Sequence, residues 1–143
     1  MTSNIRISSV EISFHFHSTE NQERGLDQIM QQLGLDKHVF STTKLEGHFG
    51  NIITRIIFHL TGEKANIWLI GFLKKIRKID RITLFNNIHD HIDEHGKLYL
   101  RLSKQSLFRK FIEFGNLDII RIKIKPKTKQ GIALIPKYYR EMF

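Results

Sequence analysis

Apolar and polar positions alternate most strictly over residues 97–103, where Leu98, Leu100 and Leu102 fall on one side of an extended chain. Lys97, Tyr99, Arg101 and Ser103 fall on the other, which predicts a strand with one core face and one cationic face. Earlier, Val10, Ile12, Phe14 and Phe16 alternate with Glu11, Ser13, His15 and His17, predicting a half-buried strand over 5–17. Residues 52–61 alternate Ile52, Thr54, Ile56, Phe58 and Leu60 with Ile53, Arg55, Ile57, His59 and Thr61. Both sets are apolar at the centre, so an interior strand is expected. A fourth strand, over 117–125, sets Ile120, Ile122 and Ile124 against Arg121, Lys123 and Lys125 and stops at Pro126.

Helical spacing fills the gaps. Leu26, Ile29, Met30 and Leu33 follow a capping-box pattern at Thr19-Glu20-Asn21-Gln22 and precede Gly34 as a stop. Over 63–79, Ala65, Trp68, Leu69, Phe72, Leu73, Ile76 and Ile79 make one apolar stripe, and the leucines of the 97–103 strand are expected to meet Trp68, Phe72 and Ile76. A second helix carries Leu84, Phe85, Ile88 and Ile92 and ends at the turn Asp93-Glu94-His95-Gly96. Ser103 is the expected N-cap of a short helix over 104–112 that buries Leu107, Phe108 and Phe111. Periodicity disappears between Asp36 and Asn51, where Gly47 and Gly50 bracket His48 and Phe49, so a structured loop is expected. These elements predict an α+β domain over 1–126, with helices on one face of a mostly antiparallel sheet. The tail, 127–143, is basic and then apolar; an edge strand, a helical clasp and a partner-binding segment all fit it.

Charge sharpens the picture of the polar faces. The net charge is +9, and residues 1–62 hold five Lys and Arg against six Asp and Glu while residues 63–143 hold 18 against eight. Such asymmetry favours a nucleic acid or another anionic surface as partner, although a thermophile-style, ion-rich surface has the same composition. The chain has no cysteine, which removes thiolate metal sites and thiol nucleophiles. Neither a signal-peptide pattern nor an apolar run of membrane-spanning length is present, so a cytoplasmic protein without a membrane partner is expected.

If the strands bearing Arg55, Arg101 and Arg121 share a sheet, then Arg55, His59, Lys97, Tyr99, Arg101, Arg121, Lys123 and Lys125 share its polar face. Cations that track phosphates, interleaved with an aromatic that stacks an unpaired base, are the combination RNA-binding sheets use. Lys104 extends this set at its margin. Lys74, Lys75, Arg77 and Lys78 form a second cluster, which either complements a helix dipole or adds a further phosphate patch. A plain solvated face, or a surface for a protein partner or a second copy of the chain, remains the alternative use of the basic face and tail. Metal ligation is not expected: His15 and His17 are only two, and in the run from His89 to His95 the pair His89 and His91 points about 200° apart on a helix. His48 has no nucleophile or carboxylate placed by spacing, and no phosphate-loop motif occurs, so neither an enzyme nor a cofactor is expected.

Three stretches carry a resemblance: Leu45-Glu46-Gly47-His48-Phe49-Gly50-Asn51, Asp93-Glu94-His95-Gly96-Lys97-Leu98-Tyr99-Leu100-Arg101-Leu102-Ser103-Lys104-Gln105, and Asp118-Ile119-Ile120-Arg121-Ile122-Lys123-Ile124-Lys125. In these the chain resembles an archaeal RNA-binding family described as predicted exosome subunits, over about residues 8–125. The resemblance implies a fold like that of the large-subunit ribosomal protein in the central protuberance. It also implies a non-catalytic role with RNA as partner, as an accessory of RNA processing or degradation beside exosome or ribosome-related proteins. The chain departs from the family pattern at Ile52, Lys97 and Ser103, where Pro, Asn and an acidic residue are expected; the last two changes make the 97–103 strand more cationic.

Overall fold

The computed structural model describes residues 7–36, 40–46 and 50–137. Five strands, β1 (Ile7–His17), β2 (Phe40–Glu46), β3 (Ile52–Thr61), β4 (Leu98–Ser103) and β5 (Ile119–Pro126), form one sheet in the order β2-β3-β1-β5-β4. Every neighbouring pair is antiparallel. The helices are α1 (Gln22–Leu33), α2 (Gly62–Lys75), α3 (Lys78–Asn86) and α4 (Lys104–Phe108), with short 3-10 turns at Ile88–His91 and Ile132–Leu134. This is the expected α+β arrangement.

Alternation decides which face is covered. Val10, Ile12, Phe14 and Phe16 of β1, Ile56 and Phe58 of β3, Leu98, Leu100 and Leu102 of β4, and Ile120, Ile122 and Ile124 of β5 are all buried in one core with Ile29, Leu69, Phe72 and Leu73 from the helices. Phe14 stacks on Phe58 with ring centroids 6.2 Å apart, and the Trp68 indole N–H donates to the Leu33 carbonyl at 2.7 Å, which ties α2 to the end of α1. Helix α1 comes so close to β1 that a Cβ at Gly25 would lie 2.7 Å from the Phe16 ring. Beyond β5, Ile132 and Ile135 are buried in the same core.

Several element boundaries differ from expectation. The 36–51 stretch contains β2, an edge strand paired with β3 from Phe40↔Phe58 to Glu46↔Ile52. Only Phe40 is half-buried there and Ser41 to Glu46 are exposed, so no apolar alternation marks it. His48 lies outside the described residues, as do residues 138–143 of the tail. The helix expected over 63–79 stops at Lys75, because Ile76 and Arg77 are extended and α3 starts afresh at Lys78. The Arg81 guanidinium donates to the Leu73 and Ile76 carbonyls at 3.1 and 3.4 Å, satisfying groups that a continuous helix would have paired internally. Ile79 is consequently exposed. Helix α2 lies over β1 and β3 and the Ile88–His91 turn meets β4, and the leucines of β4 share one core with Trp68, Phe72 and Ile76.

At the start of α1 the cap is Asn21, whose side chain accepts from the Arg24 N–H, rather than Thr19; Gly34 closes the helix in the left-handed region as expected. Ser103 does cap α4, accepting from the Ser106 N–H, but α4 ends at Phe108 and leaves Phe111 exposed.

Gly25 tests the packing of α1 against β1. Gly25→Leu should destabilise the fold by about 1–3 kcal/mol, because the added side chain must displace the Phe16 and Phe108 rings. Urea unfolding followed by circular dichroism measures it, and an unchanged midpoint would refute the close approach.

Candidate nucleic-acid interface

The side chains that point away from the core form rows set by strand register. One row runs Tyr99, Lys123, Glu11, His59 across β4, β5, β1 and β3; the next runs Arg101, Arg121, Ser13, Ile57 and Ser41 across all five strands. His15, Arg55 and Thr43 form a third on β1, β3 and β2, and Lys125, Ser9 and Thr61 a fourth. Lys97, half-buried, precedes β4 on the side of Tyr99 and Arg101. Arg55, His59, Tyr99, Arg101, Arg121, Lys123 and Lys125 therefore do share one face, but β1 separates Arg55 from β5 and brings Glu11, His15 and His17 among them.

Arg101 and Arg121 stand directly opposite one another on adjacent strands. Both are exposed, and neither has an ion-pair partner among the described residues. Like charges in that position weaken a sheet. Beside them, a depression of about 340 Å³ is lined by His15, His17, Arg121, Leu45, Ile53 and Asp118. His15 has its pKa lowered, first by burial and then by the positive charges of Arg55, Arg121, Lys104 and His17. It presents a neutral ring within a cationic field.

Tyr99 neighbours the Asp93 carboxylate, which accepts the Lys97 and His95 N–H groups at 2.9 Å each. The backbone bond from Lys97 is the main reason that the Asp93 carboxyl sits below its usual range, while burial and Asp93 together push the Tyr99 phenol up. Tyr99 is 42% exposed and thus accessible to a ligand.

One sequence expectation needs correction. Lys104 is not at the surface: its side chain is fully buried, with Nζ donating to the His15 carbonyl at 2.6 Å and lying 3.1 Å from a carboxylate oxygen of both Glu20 and Asp118. The ammonium also sits 5.0 Å from the centre of the Phe16 ring. Such a cation is committed to holding β1, α4 and the start of β5 together and has no surface to offer a ligand. Lys74, Lys75, Arg77 and Lys78 are exposed, but they cluster at the α2–α3 junction in the helical layer, away from the basic sheet face. Arg77 is bound there to Asp80 at 2.8 Å and approaches Glu113 at 3.9 Å. Among the described residues no three His, Asp or Glu side chains converge in a way that could hold a metal ion.

Sequence reasoning missed Glu11, His15 and His17 as members of this face. Their alternation was visible, but which strands flank β1 is a property of topology. It also missed Asp93 as a neighbour of Tyr99, for which the Asp93-to-Gly96 turn was the local signal.

A mostly antiparallel sheet with helices on one face and a cationic, aromatic-bearing second face defines an α+β protein of the kind that handles polyanions. The family model described as RNA binding matches residues 9–126, and the chain belongs to that family. Among its relatives, the chain is 24% identical over 137 residues to RNA-binding protein PAB1135 of Pyrococcus abyssi, covering 90% of this chain and 87% of that one. Two solved structures share the fold. Mth689, a DUF54 protein of Methanothermobacter thermautotrophicus, matches with a TM-score of 0.73 at 23% identity, over 93% of this chain and 98% of that one. SSO0741 of Sulfolobus solfataricus, also DUF54, matches with a TM-score of 0.77 at 22% identity, over 94% and 99%. Among the described residues no helix is long and apolar enough to cross a membrane.

Two measurements follow from this geometry. Lys104→Met should destabilise by about 3–5 kcal/mol, the size expected when one partner of a buried charge network is removed; urea unfolding checks it, and a loss under 1 kcal/mol would show that the network is dispensable. His15 governs a pH dependence. Because its folded pKa lies below that of the unfolded chain, the unfolded state takes up a proton first as pH falls below about 6.5, and stability drops. His15→Gln should flatten the stability profile between about pH 7 and 5; superimposable profiles would show that burial and the neighbouring cations leave the His15 proton equilibrium unchanged on folding.

Proposed function

We propose that the chain is a non-catalytic RNA-binding protein that holds RNA on the outer face of its sheet. Arg101, Arg121, Lys123, Lys125 and Lys97 meet phosphates, Arg55 lies further along the same track, and Tyr99 stacks on an unpaired base. The observation that carries this reading is the pairing of Arg101 opposite Arg121 without a carboxylate partner among the described residues. A fold keeps a like-charge pair, at a cost to stability of about 0.2–1 kcal/mol, where an anion completes it. Membership of the RNA-binding family and the likeness to the Pyrococcus abyssi RNA-binding protein support RNA as that anion. A role in RNA processing or degradation, as an accessory of the exosome, is supported by the motif resemblance at residues 45–51, 93–105 and 118–125.

Charge reversal tests the site. Arg101→Glu with Arg121→Glu should abolish binding of single-stranded RNA in fluorescence anisotropy, while wild-type affinity should fall steeply with salt; retained affinity in the double variant would remove this face from the reading. The single change Arg121→Thr should do two opposite things. It weakens RNA binding and, by relieving the like-charge pair, raises stability by up to about 1 kcal/mol. A variant that loses both stability and RNA affinity would contradict the proposal that the pair is kept for a ligand.

A further inference from the structure

Strand β4 is an edge of the sheet, and most of its outward backbone groups are already taken. At one end the Asp93 N–H donates to the Lys97 carbonyl at 3.0 Å and Ile92 bridges Leu98. At the other, the Ser103 N–H donates to the Glu113 carbonyl at 2.8 Å, the Gly115 N–H donates to the Arg101 carbonyl at 3.1 Å, and Phe114 bridges Leu102. The N–H and C=O of residues two apart on a strand point the same way, so the Arg101 N–H and the Tyr99 C=O also project from this edge. They lie between the two caps with no strand beside them among the described residues. A cleft of about 710 Å³ opens at this gap, within the range of small-ligand sites, and its walls include Tyr99, Arg101, Phe114, Asn116, Asp90 and Asp93.

We infer that this cleft takes one unpaired nucleobase of the bound RNA, with the Arg101 N–H and the Tyr99 C=O reading its Watson–Crick edge and an amino-bearing base, adenine or cytosine, preferred. The inference rests on the RNA-binding reading above and adds a specificity site to it. A donor and an acceptor two residues apart on one strand edge match the ring nitrogen and neighbouring amino group of adenine or cytosine. The gap is a single donor–acceptor pair long, too short for a peptide to add a strand and sufficient for a base. Asp80, Asp90 and Asp93 line the same cleft, so a phosphate is repelled from it and an amino group is favoured over the carbonyl of uracil. Tyr99 and Arg101 belong to both the cleft and the basic face, so a strand whose phosphates follow Arg101 and Arg121 passes the cleft mouth.

The test compares ten-nucleotide A, C and U homopolymers by anisotropy at one salt concentration, on the wild-type chain and on Asn116→Trp, which fills the cleft and leaves every cation in place. The wild type should bind the A and C oligomers about tenfold more tightly than U, the discrimination one well-formed hydrogen bond supplies. Asn116→Trp should lose that preference while keeping its affinity for U. Equal wild-type affinities for all three, or a preference that survives Asn116→Trp in a folded variant, overturns the base site and leaves RNA binding standing. Failure to bind any oligomer overturns both. Independently of the variant, hydrogen exchange of the Arg101 amide in the wild-type chain should slow when the A oligomer is bound and not with U, and unchanged exchange overturns the inference.

Discussion

The register of β1 between β3 and β5 is the constraint on which the rest depends. The helices cover one face of the sheet, so each apolar residue of β1, Val10, Ile12, Phe14 and Phe16, fixes the outward direction of the residue beside it. A slip of β1 by one position would drive Phe14 and Phe16 outward and bring Ser13 and His15 into the core. The apolar face thus secures the basic face without contributing an atom to it. It also explains why the cations lie in rows across the strands, since register aligns them as strictly as it aligns the core.

Lys104 supplies the second constraint. Its ammonium joins the His15 carbonyl on β1, Glu20 in the turn before α1 and Asp118 just before β5, so three segments far apart in sequence meet at one buried charge. Burial works against the Asp118 charge, yet hydrogen bonds from Gln105 and Lys104 and the Lys104 charge outweigh it, and the carboxyl remains below its usual range. This arrangement positions the depression beside His15 and Arg121.

Residue patterns reveal half-buried strands and amphipathic helices well, and here they disclose β1, β3, β4, β5 and the clustering of Tyr99, Arg101, Arg121, Lys123 and Lys125 on a common face. They fail where burial does not alternate. β2 shows nothing because six of its seven residues face solvent. The break after α2 is hidden because Ile76 and Ile79 keep helical spacing while Arg81, from the next helix, satisfies the freed carbonyls. Lys104 reads as one more surface cation because its partner Glu20 lies 84 residues away. The cleft at the β4 edge is equally silent, being built from backbone groups and from segments that only the fold brings together.

Lysine reactivity on the whole chain, with and without single-stranded RNA, tests the assignment of RNA to the sheet face most directly. Acetylation read by mass spectrometry should show Lys123, Lys125 and Lys97 protected by RNA, with Lys74, Lys75 and Lys78 as reactive as in the free protein. Protection confined to Lys74, Lys75 and Lys78 would place the RNA on the helical layer and contradict the account.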